Sequence, residues 1–129
     1  MNYNKIFLID DNSTTLFYNQ DVVSEYSPSS EVISFEDPDE FMRVYKEKYS
    51  TEKDPMLLLL DINMPQKLGY ELLEELEEVY EDLENLHVLM VTSSNLRNDV
   101  EKSSRFLSVL GYIEKPLTVT KINNVLNGF

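Results

Sequence analysis

The chain contains no cysteine, which excludes disulfides, thiolate metal sites and a cysteine nucleophile. Its single histidine, His87, excludes a multi-histidine metal centre as well. Glycine occurs only three times, and no glycine-rich loop follows the first strand signal, so a nucleotide-binding module would lack its phosphate cradle. No apolar run approaches membrane-spanning length, and no basic segment at the N-terminus leads into a long apolar one. That pattern points to the cytoplasm and away from a membrane. Positive charge is scarce too, with 11 Lys and Arg against 24 Asp and Glu and a formal charge of -13. Because phosphate contacts from Lys and Arg supply most nucleic-acid affinity, this balance argues against a direct nucleic acid partner.

What remains is a chain of 129 residues, long enough for one domain with a real core and too short for two, so residues 1–129 are expected to form a single unit. The run from Met56 to Pro65, Met-Leu-Leu-Leu-Leu-Asp-Ile-Asn-Met-Pro, is apolar, opened by Pro55, and stops on the carboxylate of Asp61. It is too short for a helix and suits a strand buried on both faces, hence a parallel sheet covered by helices. Ligands of such sheets sit beyond the carboxyl ends of the strands, where Asp61 falls. Taken alone, Asp61 could equally just begin a loop.

Strand and helix signals alternate along the chain. Lys5 to Asp10 reads as a first buried strand ending in Asp10, Asp11 and Asn12, and Ser13 as the N-cap of a helix to about Tyr26, its apolar face interrupted by Asn19 and Gln20. Ser27 to Ser30 is a turn and Glu31–Phe35 a second strand; Asp37-Pro38 opens a helix that carries Phe41, Val44 and Tyr45 inward. After the central strand, Leu72, Leu73, Leu76, Val79, Tyr80 and Leu83 keep helical spacing from Gly69 onward. The many acids between them read as a solvated face rather than a metal cluster. His87–Thr92 is the fourth strand, with His87 at its start in a structural position. A less regular helix follows over about 98–107, then a short strand at Tyr112 and Ile113, Lys115-Pro116, and a last helix from about Thr118 to Asn127.

Five strands alternating with five helices predict a doubly wound α/β fold, a five-stranded parallel sheet with helices on both faces in the flavodoxin-like order 2-1-3-4-5. In that order the first and third strands are neighbours, which brings Asp10 and Asp11 beside Asp61, with Thr92 and Lys115 on the other side. Three carboxylates in one pocket repel and raise one another's pKa unless a cation neutralises them. An oxygen-only donor set favours Mg²⁺, and Lys115 can add a point charge suited to a phosphoryl oxygen, although a lysine by itself is most often an ordinary surface residue.

These motifs together resemble a receiver domain, the phosphoryl-accepting module of two-component response regulators, over essentially the whole chain. The matching pieces are Ile9-Asp10-Asp11-Asn12, Asp61-Ile62-Asn63-Met64-Pro65 with Gly69, Thr92-Ser93, and Gly111-Tyr112 with Lys115-Pro116. Each is weak singly, but four in this order are specific. The resemblance implies Asp61 as phosphoacceptor, Asp11 as a direct Mg²⁺ ligand, Asp10 acting mainly through the ion's waters, and the backbone carbonyl of Asn63 as a further ligand. It implies Thr92 and Lys115 on the phosphoryl oxygens, Tyr112 as an aromatic switch, and a cis Lys115-Pro116 peptide. Asn63 and Ser94 resemble the positions that flank the path of a hydrolytic water. The implied donor is a phosphohistidine on a sensor histidine kinase or a histidine phosphotransfer protein, and the output goes to a downstream protein that the sequence does not name.

Two positions depart from the commonest family pattern, Leu68 where aspartate is frequent and Leu117 where phenylalanine is frequent. Both bear on partner identity rather than chemistry. A haloacid-dehalogenase-like aspartyl phosphatase would need a second acid two residues after the nucleophile, where Asn63 stands, and a receiver-like adaptor that takes no phosphate would not need the full set of site residues. From Leu96 onward five basic residues (Arg97, Lys102, Arg105, Lys115, Lys121) meet three acids (Asp99, Glu101, Glu114), so this segment is close to +2 in a strongly acidic chain. A protein-interaction face there, including Tyr112, is expected.

Overall fold

The computed structural model describes residues 2–79, 85–93, 98, 101 and 106–127. Its strands are β1 (Lys5–Ile9), β2 (Glu31–Phe35), β3 (Met56–Asp61), β4 (Leu86–Thr92) and β5 (Val109–Glu114). They form one parallel sheet in the order β2-β1-β3-β4-β5. Four helices are described, α1 (Ser13–Tyr26), α2 (Pro38–Val44), α3 (Gly69–Val79) and, at the C-terminal end, α4 (Val119–Leu126). The doubly wound order expected from the alternation is therefore observed.

Alternation along each strand divides the core into two layers. Phe7 and Ile9 of β1, Leu58 and Leu60 of β3, and Val88 and Met90 of β4 face one side, where they meet Phe41 of α2 and Leu72, Leu73 and Leu76 of α3. Ile6 and Leu8, Leu57 and Leu59, and Leu89 and Val91 face the other side, against Leu16, Val22 and Val23 of α1 and Ile122 and Leu126 of α4. All six residues of β3 are buried, which is why its run carries no polar alternation.

Local chemistry sets the helix ends. The N-cap of α1 is Asn12 rather than the expected Ser13: Asn12 is extended (φ -92°, ψ 112°) and its side chain accepts from Thr15 N–H at 3.0 Å. Asn19 and Gln20 do not break this helix, since Asn19 is buried and Gln20 donates to Ser34 Oγ at 2.5 Å. Asp37 caps α2, with Pro38 in the first turn, and the chain runs on through a π-helical turn over Tyr45–Tyr49. Phe41 and Tyr45 are buried and Val44 packs partly against them, as expected. Thr118 caps α4 by accepting from Lys121 N–H.

Three boundaries differ from the sequence reading. Val79 is 57% exposed rather than inward, because a step of three from Leu76 at 100° per residue carries it to the edge of the stripe set by Leu72, Leu73 and Leu76. Tyr80 and Leu83 lie outside the described residues. Strand β5 begins at Val109, not Tyr112, since a bulge opposite Val88 and Leu89 lets the chain join β4 early. Gly111 within β5 is an approach point: a Cβ there would fall on Val125 Cγ1 of α4. Of the helix expected over 98–107, Asn98 and Glu101 are helical, most of the rest lies outside the described residues, and the chain is already out of the helix at Phe106.

Candidate functional site

The carboxyl ends of β1, β3 and β5 bring the expected residues together. Asp10 follows β1 directly, its N–H donating to Phe35 O at 3.1 Å, and Asp61 is the last residue of β3. Asp10, Asp11 and Asp61 each offer a carboxylate oxygen within 4.8 Å of the others, an acidic cluster that could hold a metal ion. Asp10 and Asp61 are buried and Asp11 is half-buried at the rim.

Backbone N–H groups fix these carboxylates. Asn12 N–H donates to Asp10 Oδ1 at 2.9 Å and Asn63 N–H to Asp61 Oδ1 at 3.3 Å. The Lys115 ammonium donates to Asp10 Oδ2 at 3.1 Å and stands 3.4 Å from Asp61 Oδ1. It is carried there by the end of β5, where Lys115 N–H donates to Thr92 O at 2.7 Å. The Lys115-Pro116 peptide is cis, as the resemblance implied. Thr92 is fully buried at the end of β4 and Ser93 is exposed beside it, while Ser94 lies outside the described residues.

Electrostatics follow from burial and crowding. Burial, and then the neighbouring Asp10 carboxylate, push the Asp61 carboxyl up from 3.8 to about 6, against the opposing pull of Lys115 and of Asn63 N–H. Burial works against the charge on Lys115, but the Asp61 and Asp10 carboxylates outweigh it and hold the ammonium above the ordinary lysine value. One ammonium thus faces three acids, a deficit of positive charge that a divalent cation would remove.

Tyr112, in β5 opposite Met90, is half-buried and packs against the layer that holds α2 and α3. Of the basic residues expected on the output face, Lys115 and Lys121 are described and Arg97, Lys102 and Arg105 lie outside the described residues. Lys121 Nζ donates to Glu114 O at 2.9 Å and Pro116 O at 2.8 Å, so it braces the turn that presents Lys115. His87 is remote from the cluster, at the opposite end of β4, with its Nδ1 hydrogen-bonded to Tyr3 O–H at 2.8 Å. That contact agrees with a structural role.

Sequence reasoning missed two features. A cavity of about 480 Å³ opens between α1 and the turn after β5, lined by Thr14, Thr15, Tyr18 and Asn19 on one side and Lys115, Pro116 and Leu117 on the other. Lys67, four residues after Asn63, is half-buried and paired with two carboxylates, Asp39 and Glu75. Its neighbours lie on two separate helices, which no local spacing rule connects.

Comparison with known proteins agrees with this architecture. The family described as the response regulator receiver domain matches residues 6–127, and the chain belongs to that family. Response regulator Rcp1 of Synechocystis is 28% identical over 125 residues, covering 95% of this chain and 84% of that protein. A two-component response regulator from Cytophaga hutchinsonii superposes with a TM-score of 0.86 at 26% identity, over 99% of this chain and 97% of that one. The phosphorylated cyanobacterial phytochrome response regulator RcpA gives 0.71 at 27% identity, over 98% and 91% of the two chains. Among the described residues, no helix is long and apolar enough to cross a membrane.

Proposed function

We propose that residues 1–129 act as a single cytoplasmic receiver that takes a phosphoryl group from a phosphohistidine donor onto Asp61 in a Mg²⁺-dependent reaction. The observation that carries this reading is the convergence of Asp10, Asp11 and Asp61 within 4.8 Å, with the Lys115 ammonium 3.4 Å from Asp61. The donor set is all oxygen and gathers three carboxylates within 4.8 Å, so a hard divalent cation fits. Asp10, Asp11, Asp61 and the carbonyl of Asn63 would hold Mg²⁺. When bound, the ion would offset the charge of the carboxylates and of the phosphoryl oxygens.

The rest of the work falls to the chain's own residues. Asn63 N–H and Lys115 orient the Asp61 carboxylate, which needs to be ionised to act as nucleophile. One of its oxygens bonds to phosphorus in line as the P–N bond breaks, and the electron pair of that bond returns to the imidazole nitrogen of the donor. Lys115 and the Thr92 hydroxyl receive phosphoryl oxygens. Thr92 drawn toward the phosphoryl group makes room for Tyr112 to turn inward, which changes the face that carries β5 and α4 through a population shift. The domain assists only its own phosphorylation and dephosphorylation. Its donor is a sensor histidine kinase or a histidine phosphotransfer protein, and its output is a protein contact rather than nucleic acid.

The test is incubation with Mg²⁺ and acetyl phosphate followed by intact-mass measurement. One added phosphoryl group is expected in the wild type and none in Asp61→Asn. Modification that persists in Asp61→Asn, or no modification of the wild type with Mg²⁺ present, refutes the assignment. The output face is tested by partner capture with phosphorylated wild type, the Lys102→Glu/Arg105→Glu variant and Tyr112→Ala; capture that survives these changes intact moves the face elsewhere.

A further inference from the structure

The loop between β3 and α3, residues 62–68, includes Asn63, whose N–H donates to Asp61 Oδ1 of the acidic cluster at 3.3 Å. Its neck is closed by Gly69 N–H donating to Ile62 O at 2.8 Å, and Met64 is buried beneath it. Near the far end Leu68 N–H donates to Glu71 Oε1 at 3.2 Å, and Leu68 O accepts from Glu71 and Leu72 N–H as α3 begins. Between these points stands Lys67, its side chain 14% exposed and its ammonium held by two surface carboxylates. It donates to Asp39 Oδ1 at 2.8 Å in the first turn of α2, and to both oxygens of Glu75 in α3 at 2.6 and 2.7 Å. Burial works against this charge, but the two carboxylates outweigh it and hold the ammonium above the ordinary lysine value.

An exposed lysine pair contributes little because two long side chains must be frozen in water. Lys67 differs in that its own side chain is mostly covered, although Asp39 and Glu75 stay 69% and 43% exposed, and in being chelated by one carboxylate and bridged to a second on another helix. Its three contacts cross from the loop to both helices that cover this face of the sheet, so they set where the loop lies rather than adding charge to a surface. The loop residue they restrain is four positions from Asn63, whose N–H also orients Asp61.

We infer that Lys67 is a positioning residue for the metal site: by tying the β3–α3 loop to Asp39 and Glu75, it keeps the Asn63 carbonyl and N–H aimed at the ion and at Asp61. The inference rests on the receiver reading of the site. Lys67 touches neither the acidic cluster nor a phosphoryl group, so it acts through the loop alone. A group that orients a metal ligand from behind matters because an unrestrained ligand gives up freedom when the ion arrives.

The test compares Lys67→Met, which keeps the apolar stem and removes the donors, with Lys67→Arg, which keeps a cation, and with Glu75→Gln. Mg²⁺ affinity of the unphosphorylated protein is measured by calorimetry, and hydrogen exchange at the Leu68 and Gly69 amides is measured without metal. Lys67→Met is expected to weaken Mg²⁺ binding about tenfold, the low end for loss of a group that orients a metal ligand. Exchange at both amides should speed up, and phosphorylation by acetyl phosphate should slow at low Mg²⁺ yet recover at saturation. Lys67→Arg should stay within about twofold of wild type, and Glu75→Gln should add nothing to Lys67→Met, as expected for partners in one interaction. Unchanged Mg²⁺ affinity in Lys67→Met, or an equal loss in Lys67→Arg, overturns the inference, since a merely structural ion pair would lower the melting temperature without moving metal affinity. A wild type that neither binds Mg²⁺ nor takes a phosphoryl group refutes the receiver reading itself, a result distinct from failure of the Lys67 variants alone.

Discussion

Replacing Asp61 by asparagine should make the metal-free protein more stable at neutral pH, although it abolishes the proposed phosphoacceptor. The Asp61 carboxyl titrates near 6 in the fold against 3.8 for an ordinary aspartate, so the folded state holds its proton more tightly than the unfolded state does between these values. Stability from this group therefore falls as pH rises through that window and is lowest above 6. At 1.36 kcal/mol per pKa unit the ionised carboxylate costs the fold about 3 kcal/mol at pH 7.5 and about 1 kcal/mol at pH 4.5. Asparagine keeps the acceptor for Asn63 N–H and removes the charge, and Lys115 retains its bond to Asp10. Urea denaturation without metal should thus show Asp61→Asn ahead of wild type by about 2–3 kcal/mol at pH 7.5, with the gap narrowing by about 2 kcal/mol at pH 4.5. Mg²⁺ at about 100 times its Kd should stabilise the wild type by about 2.7 kcal/mol, and the variant by less. A variant less stable than wild type at pH 7.5, or a gain that does not shrink on acidification, would refute the claim that burial and Asp10 strain this carboxylate.

Asn63→Arg should lengthen the lifetime of the acyl phosphate several-fold, since the exposed Asn63 side chain beside Asp61 is short enough to admit an in-line water; an unchanged dephosphorylation rate at saturating Mg²⁺ would rule this out. Gly69→Ala should lower stability by about 1–2 kcal/mol in urea unfolding, because its Cβ would sit 2.8 Å from Asp61 O and 3.0 Å from Ile62 Cα, backbone atoms that cannot swing aside. A neutral or stabilising result would mean that the β3–α3 junction yields easily. Tyr3→Phe removes the hydroxyl bonded to His87 Nδ1 and should cost about 1 kcal/mol while leaving phosphorylation by acetyl phosphate unchanged, the outcome that separates a structural His87 from a functional one.

The sequence by itself determined the strands and their faces, because a parallel strand covered on both sides must be apolar throughout, and Met56–Leu60 and Val88–Val91 are. It also determined the candidate site, since Asp10, Asp61 and Lys115 stand at the ends of those strands and the doubly wound order makes β1 and β3 neighbours. The cap at Asn12 in place of Ser13 escaped it, because two adjacent capping residues differ only in backbone angles that the chain adopts on folding. The extent of β5 escaped it because Gly111 breaks a strand signal locally, whereas its missing Cβ answers to Val125 of a helix that comes later in the chain. Glu75 and Glu71 looked like members of a solvated acidic face, yet one grips Lys67 and the other the Leu68 N–H. Periodicity reports which side of an element is buried; it carries no record of which charged group arrives from another element. The height of the Asp61 pKa and the reach of Lys67 depend on distances between residues far apart in sequence, and only the packed tertiary structure sets those distances.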